Sequence, residues 1–296
     1  ERVGIHDNFF EIGGDSILLL RAWTRMKEIL GGSMPLSAFL SRPTISGHQE
    51  STDMPANIRR LNDAPSSAPA LFCLHPGFGL SNEYRALAAQ AGRDFAVFGV
   101  ESPIHSDPAW TASSMQALAA HYLATIRKVQ PQGPYRLIGW SFGGWVALEI
   151  AKLIKASADG QLALVGLVDT EPCTDFRPFA KTAAEWRDAV ANELARLDLA
   201  NDLALSERLL SIATLHQSLL LDYSLKPVSL GLKTHVWWAE ATTSFHRRRG
   251  QANYLDWTAF LPSGTASSIV HDSSHGDIIK NPTLLRDLHA LVTKSL

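Results

Sequence analysis

Cysteine is scarce: only Cys73 and Cys173 occur in 296 residues. Two thiols are too few for a disulfide framework, and they lack the CxxC spacing of a metal pair. Cys73 lies within the apolar stretch 70–74 and reads as a small core hydrophobe. This cysteine usage fits a reducing cytoplasm. The chain lacks a run of about 18 uncharged apolar residues, so no transmembrane helix is expected. It also lacks an excess of charge. The 27 Lys and Arg balance 29 Asp and Glu to a net of −2, which supplies no field for nucleic acid or an anionic membrane. No repeat at solenoid spacing occurs. No signal peptide opens the chain, which is expected to begin partway through a domain.

What is present divides unevenly. Residues 51–68 are rich in Ser, Asp, Asn, Ala and Pro and read as an exposed linker. Before it, 1–50 are too few to bury a robust core unaided. After it, 69–296 suffice for a full α/β domain. There, short apolar segments at 71–74, 96–100, 135–138, 164–168, 234–239 and 268–270 alternate with helical patterns at 84–90, 115–129, 143–154 and 283–296. That alternation predicts a mostly parallel sheet covered on both faces. The stretch 179–226 breaks the rhythm with helical patterns and no strand, and reads as an insertion near one sheet edge or as ordinary helical cover.

One motif carries chemistry: Gly139-Trp140-Ser141-Phe142-Gly143, between an apolar strand and a helix. This is the context of a nucleophile elbow, in which a strained turn lifts the serine to its apex. A serine hydroxyl needs a base, and the base needs an orienting acid, in the chain order Ser, acid, His. Asp169 ends the strand 164–168, where sites on parallel sheets gather. Glu171 and Asp175, farther along the loop, are weaker candidates. Two histidines follow the last strand. His271 is expected to pack at the strand end, and His275, beside Gly276, is the expected base. The Phe142 N–H is one expected oxyanion donor. The second comes from the loop His75-Pro76-Gly77-Phe78-Gly79, at Gly77 or, alternatively, at Phe78. No metal site is expected. The basic run Arg247-Arg248-Arg249 reads as a solvated face.

The N-terminal part holds Phe9-Phe10-Glu11-Ile12-Gly13-Gly14-Asp15-Ser16 ahead of an amphipathic helix. From the residues alone, this is a glycine turn with a capped helix start, where an anion on Ser16 would meet backbone N–H groups. The motif resembles the thiolation motif of peptidyl carrier domains in nonribosomal peptide synthetases, and Pro43, Thr44 and Ile45 look like the carrier's closing segment. The resemblance implies 4′-phosphopantetheine on Ser16, added by a phosphopantetheinyl transferase. It also places the carrier's first helix before Glu1. Residues 69–296 look like the type I thioesterase that ends such synthetases: His75-Pro76-Gly77, the Ser141 elbow, Asp169 and His275 match in order and spacing. This implies an α/β-hydrolase fold with 179–226 as a helical lid, behind a small helical carrier. It further implies upstream condensation and adenylation domains as partners, and a peptidyl thioester as substrate. The expected function is release of a peptidyl or acyl chain through a Ser141 acyl-enzyme, by hydrolysis or macrocyclisation. Trp186, Leu215, Leu219 and Leu220 either face the acyl chain or form the lid's core. Two rival readings are a general serine esterase or lipase, and an inert carrier and docking module.

Overall fold

The structure is a computed structural model, and it describes residues 3–4, 7–30, 44, 54–157, 160–172, 175–177, 180–196 and 203–295. Cys173, the expected closing segment apart from Thr44, and parts of 179–226 lie outside the described residues.

Seven strands form one sheet: β1 (Ile58–Arg60), β2 (Ala70–Leu74), β3 (Ala96–Val100), β4 (Tyr135–Trp140), β5 (Leu162–Val168), β6 (Thr234–Ala239) and β7 (Thr265–Val270). Their order is β1-β3-β2-β4-β5-β6-β7, with β1 antiparallel and every other pairing parallel. The inner strands are apolar nearly throughout because both faces are covered. On one face Phe72, Leu74, Phe98, Leu137, Val165, Leu167, Val236 and Trp238 pack against α3 (Met115–Val129) and α4 (Phe142–Ala156). On the other, Leu71, Cys73, Val97, Ile138, Leu164, Val168 and Trp237 pack against α2 (Arg85–Ala91) and α8 (Pro282–Lys294). Alternate residues of each strand thus go to opposite cores, as the period of 2 requires. Burial pushes the Cys73 thiol well above its ordinary value, and its role is core packing.

The expected linker is only partly a linker. Asn57, Ile58, Arg59, Leu61 and Ala64 are buried, because β1 closes the sheet edge against β3. Arg59 is held there by Glu101 at 2.9 Å and by Ser81 at 3.2 Å, so a charged residue inside a polar stretch becomes part of the core. Among the described residues of 179–226 there are two helices and no strand, α5 (Ala183–Arg196) and α6 (Leu203–Leu221). One further helix, α7 (Glu240–Arg248), follows β6.

At the N-terminal end, α1 (Ser16–Leu30) starts after a tight turn. Gly13 has φ +97, and Asp15 Oδ1 accepts the Leu18 N–H at 2.8 Å, an N-cap interaction. Leu19 and Trp23 of α1 are buried against Leu80, Val190, Leu194 and Leu209, so α1 sits on α5 and α6. Two cation–π contacts flank this seat: Arg208 lies 4.5 Å from the Trp23 ring and Arg85 lies 3.7 Å from the Phe10 ring.

Candidate active site

The sheet reverses its winding between β2 and β4, and in open parallel sheets ligands bind beyond the strand ends at such a point. The residues after β2 are the loop 75–79, and the residue after β4 is Ser141. Tyr84, fully buried, ties the two strand ends together: its hydroxyl donates to Leu74 O and accepts from the Trp140 N–H, both at 2.9 Å.

Ser141 has φ +56 and ψ −125, a backbone conformation that only the surroundings can hold. Its N–H donates to Val168 O at 2.9 Å, and its carbonyl accepts from Thr170 Oγ1 at 3.0 Å. The flanking glycines are required by space: a Cβ on Gly139 would lie 2.0 Å from Gly143 O, and one on Gly143 would lie 2.2 Å from Leu74 O. Strand, turn and helix therefore pack backbone to backbone, and the serine hydroxyl projects into the cleft.

Three residues distant in sequence meet there. Ser141 Oγ lies 3.0 Å from His275 Nε2, and His275 Nδ1 lies 2.7 Å from Asp169 Oδ2. Asp169 is 2% exposed, with φ +45 at the end of β5, a conformation Asp tolerates better than most residues. Both its oxygens are committed: Oδ1 accepts the Ala239 N–H at 2.9 Å, and Oδ2 also accepts from Thr242 Oγ1 at 2.8 Å. With the carboxylate accepting at Nδ1, the imidazole carries its proton there and turns the Nε2 lone pair toward Ser141. The Trp140 indole N–H anchors the histidine loop by donating to His275 O at 3.0 Å. Such a relay can take a proton from a hydroxyl and return it to a leaving group.

The competing candidates lie elsewhere. His271 is exposed and pairs with Glu240 at 3.3 Å; it does not pack at the strand end, because it lies one residue beyond β7, the edge strand of the sheet. Glu171 pairs with the buried His246 at 2.8 Å, and Asp175 pairs with Arg177 at the surface. Thr242, Ala239 and Tyr84 support the relay but belong to no motif, and Trp140 supports it from within the elbow motif. Thr242 becomes legible only when β6 is laid beside β5.

The cleft over Ser141 has a volume of about 1040 Å³. Gly77, Phe78 and Phe142 line it, and so do Trp186 and Leu220 from α5 and α6. Leu219 and Leu215 instead pack into the core. Among the described residues, neither the Gly77 nor the Phe78 N–H is spent on a backbone carbonyl, and the Phe142 N–H is the first of α4, where no intrahelical acceptor exists. No group of described residues could hold a metal ion, and no described helix is long and apolar enough to cross a membrane.

Ser16 is the first residue of α1, separated from the Gly13-Gly14 turn by the capping Asp15. A Cβ on Gly14 would lie 2.2 Å from the Phe9 ring, so the turn is closed by that aromatic, with the first amides of a 15-residue helix beyond it. Such a position accommodates a phosphodiester anion.

The family described as a thioesterase domain matches residues 69–291, and that of a phosphopantetheine attachment site matches residues 1–47. A dimodular nonribosomal peptide synthase of Bacillus subtilis (strain 168) is 32% identical over 199 residues, covering 66% of this chain and 8% of the relative. Malpinin synthetase of Mortierella alpina is 36% identical over 191 residues, covering 61% of this chain and 2% of the relative. The chain thus spans a small part of the curated relatives it matches. Among solved structures, a four-domain nonribosomal peptide synthetase superposes with a TM-score of 0.71 at 19% identity, over 99% of this chain and 24% of that one. The NocB thioesterase domain superposes at 0.60 and 23% identity, over 78% and 95%. These likenesses give the α/β-hydrolase fold. The chain belongs to the thioesterase domain family, and its first 47 residues form a phosphopantetheine attachment region that carries 4′-phosphopantetheine covalently.

Proposed function

We propose that this chain ends an assembly line of nonribosomal peptide biosynthesis: a carrier, about residues 1–50, holds an acyl or peptidyl thioester at Ser16, and the hydrolase releases it through Ser141. The observation that carries the reading is the Ser141–His275–Asp169 relay, with contacts of 3.0 and 2.7 Å, opening into the cleft bounded by Gly77, Phe78 and Phe142. Phosphopantetheine on Ser16 supplies a thiol at the end of a flexible arm. Linkage in one chain raises its effective concentration at the hydrolase, so delivery does not need tight docking. α1 sits on α5 and α6, two helices of the segment 179–226 that we read as a lid.

His275 Nε2 takes the Ser141 proton as Oγ adds to the thioester carbonyl carbon. The Phe142 N–H and that of Gly77, with Phe78 as the alternative, receive the charge that forms on oxygen. Asp169 stabilises the imidazolium without accepting its proton. The carbon–sulfur bond breaks, His275 returns the proton to sulfur, and the acyl group rests on Ser141. His275 then deprotonates water, or an amine or hydroxyl of the acyl chain itself. Attack on the ester gives a free acid in the first case and a ring in the second, and the proton goes back to Ser141. We place the reaction in the cytoplasm, with condensation and adenylation domains upstream and a phosphopantetheinyl transferase to load Ser16.

The test uses the full chain, loaded by a transferase with an acyl-phosphopantetheine and followed by intact mass. Wild type is expected to gain the arm on Ser16 and lose the acyl group with time. Ser16→Ala is expected to gain nothing, and Ser141→Ala to hold its acyl group. Release at the normal rate from Ser141→Ala would refute the scheme.

A further inference from the structure

Three consecutive carbonyls of the loop after β2 are each held by a different buried histidine. His75 Nδ1 lies 2.8 Å from Pro76 O, His216 Nδ1 lies 2.7 Å from Gly77 O, and His105 Nε2 lies 2.9 Å from Phe78 O. A carbonyl oxygen only accepts, so each of these ring nitrogens carries the proton. Burial lowers all three from the ordinary histidine value, His75 and His105 to about 4 and His216 well down, so the rings are neutral donors at neutral pH. His75 completes its pattern by taking the Tyr122 hydroxyl on Nε2 at 2.6 Å.

His216 differs from the others in origin. His75 opens the loop itself and His105 follows β3, whereas His216 sits on α6. Its ring stacks on Phe142, with centroids 4.1 Å apart and planes 15° apart, and on His75, at 5.0 Å and 18°. One side chain of α6 therefore touches both segments that supply oxyanion donors. A trans peptide is planar, so the Gly77 carbonyl and the Phe78 N–H point in opposite directions from one plane. Fixing the oxygen fixes the direction of the N–H. His75 does the same for the Pro76–Gly77 peptide, helped by the Gly79 N–H, which donates to Pro76 O at 3.0 Å.

We propose that His216 is a positioning residue: by holding the Gly77–Phe78 peptide and packing on Phe142, it keeps the two halves of the oxyanion hole in register and makes that register depend on the seating of α6. The inference rests on the proposed thioesterase mechanism at Ser141, with the alternative donor, the Phe78 N–H, as the second half of the oxyanion hole.

Removing a donor outright from an oxyanion hole costs about 10²–10³ in kcat, so misaligning one that stays in place should cost less, on the order of 10–50-fold. His216→Phe keeps an aromatic ring in the stack and deletes the donor. His216→Asn keeps a donor near the Nδ1 position and deletes the ring. With a soluble acyl-N-acetylcysteamine thioester, His216→Phe is expected to lose about 10–50-fold in kcat with KM within about twofold, and His216→Asn to recover most of the loss. Inhibition by an acyl trifluoromethyl ketone, whose adduct carries the oxyanion, should weaken in proportion to kcat/KM across the series. Should His216→Phe fail to fold by thermal melting, His216→Gln replaces it, since its amide reaches beyond Gly77 O; the same loss is expected. Wild-type kcat in a folded Phe or Gln variant, or equal losses in the Phe and Asn variants, would overturn the proposal. If Ser141→Ala is inactive in the same assay, that outcome removes only the role of His216; if Ser141→Ala turns over, the mechanism beneath it fails.

Discussion

Replacing Asp169 by Asn tests the relay where its geometry is most constrained. The carboxylate accepts three hydrogen bonds: from the Ala239 N–H at 2.9 Å, from Thr242 Oγ1 at 2.8 Å, and from His275 Nδ1 at 2.7 Å. The Ala239 donor is backbone and cannot turn away, so the Asn oxygen must face it. The amide NH2 then stands where Oδ2 stood, facing His275. Two donors cannot share that contact, so the imidazole moves its proton to Nε2 and presents a bare Nδ1 to the amide. The nitrogen 3.0 Å from Ser141 Oγ then holds a proton and cannot take another. The Thr242 hydroxyl rotates and adjusts. The volume is unchanged and Asp169 is 2% exposed, so the fold should survive. The expected loss is that of a wrong tautomer in such a relay, about 10⁴-fold in kcat, or roughly 5 kcal/mol of barrier. Stopped-flow release of thiol from an acyl-pantetheine substrate, with circular dichroism to confirm folding, measures it. Activity within about tenfold of wild type would mean that Asp169 does not set the imidazole tautomer, and the acid would have to be sought in another side chain.

Two further outcomes follow from the same geometry. Tyr84→Phe removes a hydroxyl that joins Leu74 O to the Trp140 N–H across the two strand ends, and should lower stability by about 1–3 kcal/mol in urea denaturation, because it strips a buried donor and acceptor of their partner; a change below about 0.5 kcal/mol would show that the strand ends hold themselves. His75 and His105, lowered by burial to about 4, should make the fold acid-sensitive. The unfolded chain binds their protons below about pH 6.5 while the folded one does not, so stability falls as pH drops from about 6.5 to about 4, by on the order of 3 kcal/mol for each. Ring resonances assigned to His75 or His105 that titrate near 6.5 in the folded protein would contradict this.

The sequence by itself determined the sheet and the strand–turn–helix context of the elbow, and it named the candidates for the relay. Apolar strands flanked by helical patterns follow from burial on both faces, and Gly139-Trp140-Ser141-Phe142-Gly143 between a strand and a helix leaves one geometry open. Chain order then pointed to Asp169 and His275, which the structure brings into contact with Ser141. It misjudged 51–68, since Ile58–Arg60 is a three-residue segment with two arginines whose burial depends on β3 and on Glu101, partners that local composition does not encode. It could not supply the residues that hold the site in place. Tyr84, Thr242 and His216 belong to no motif, and each acts through a hydrogen bond to a group brought near only by sheet order or by the packing of α6. A motif is legible when its chemistry and its backbone requirement are contiguous. Side chains that position it are selected by distance in space, and that is settled only when the strands are laid side by side.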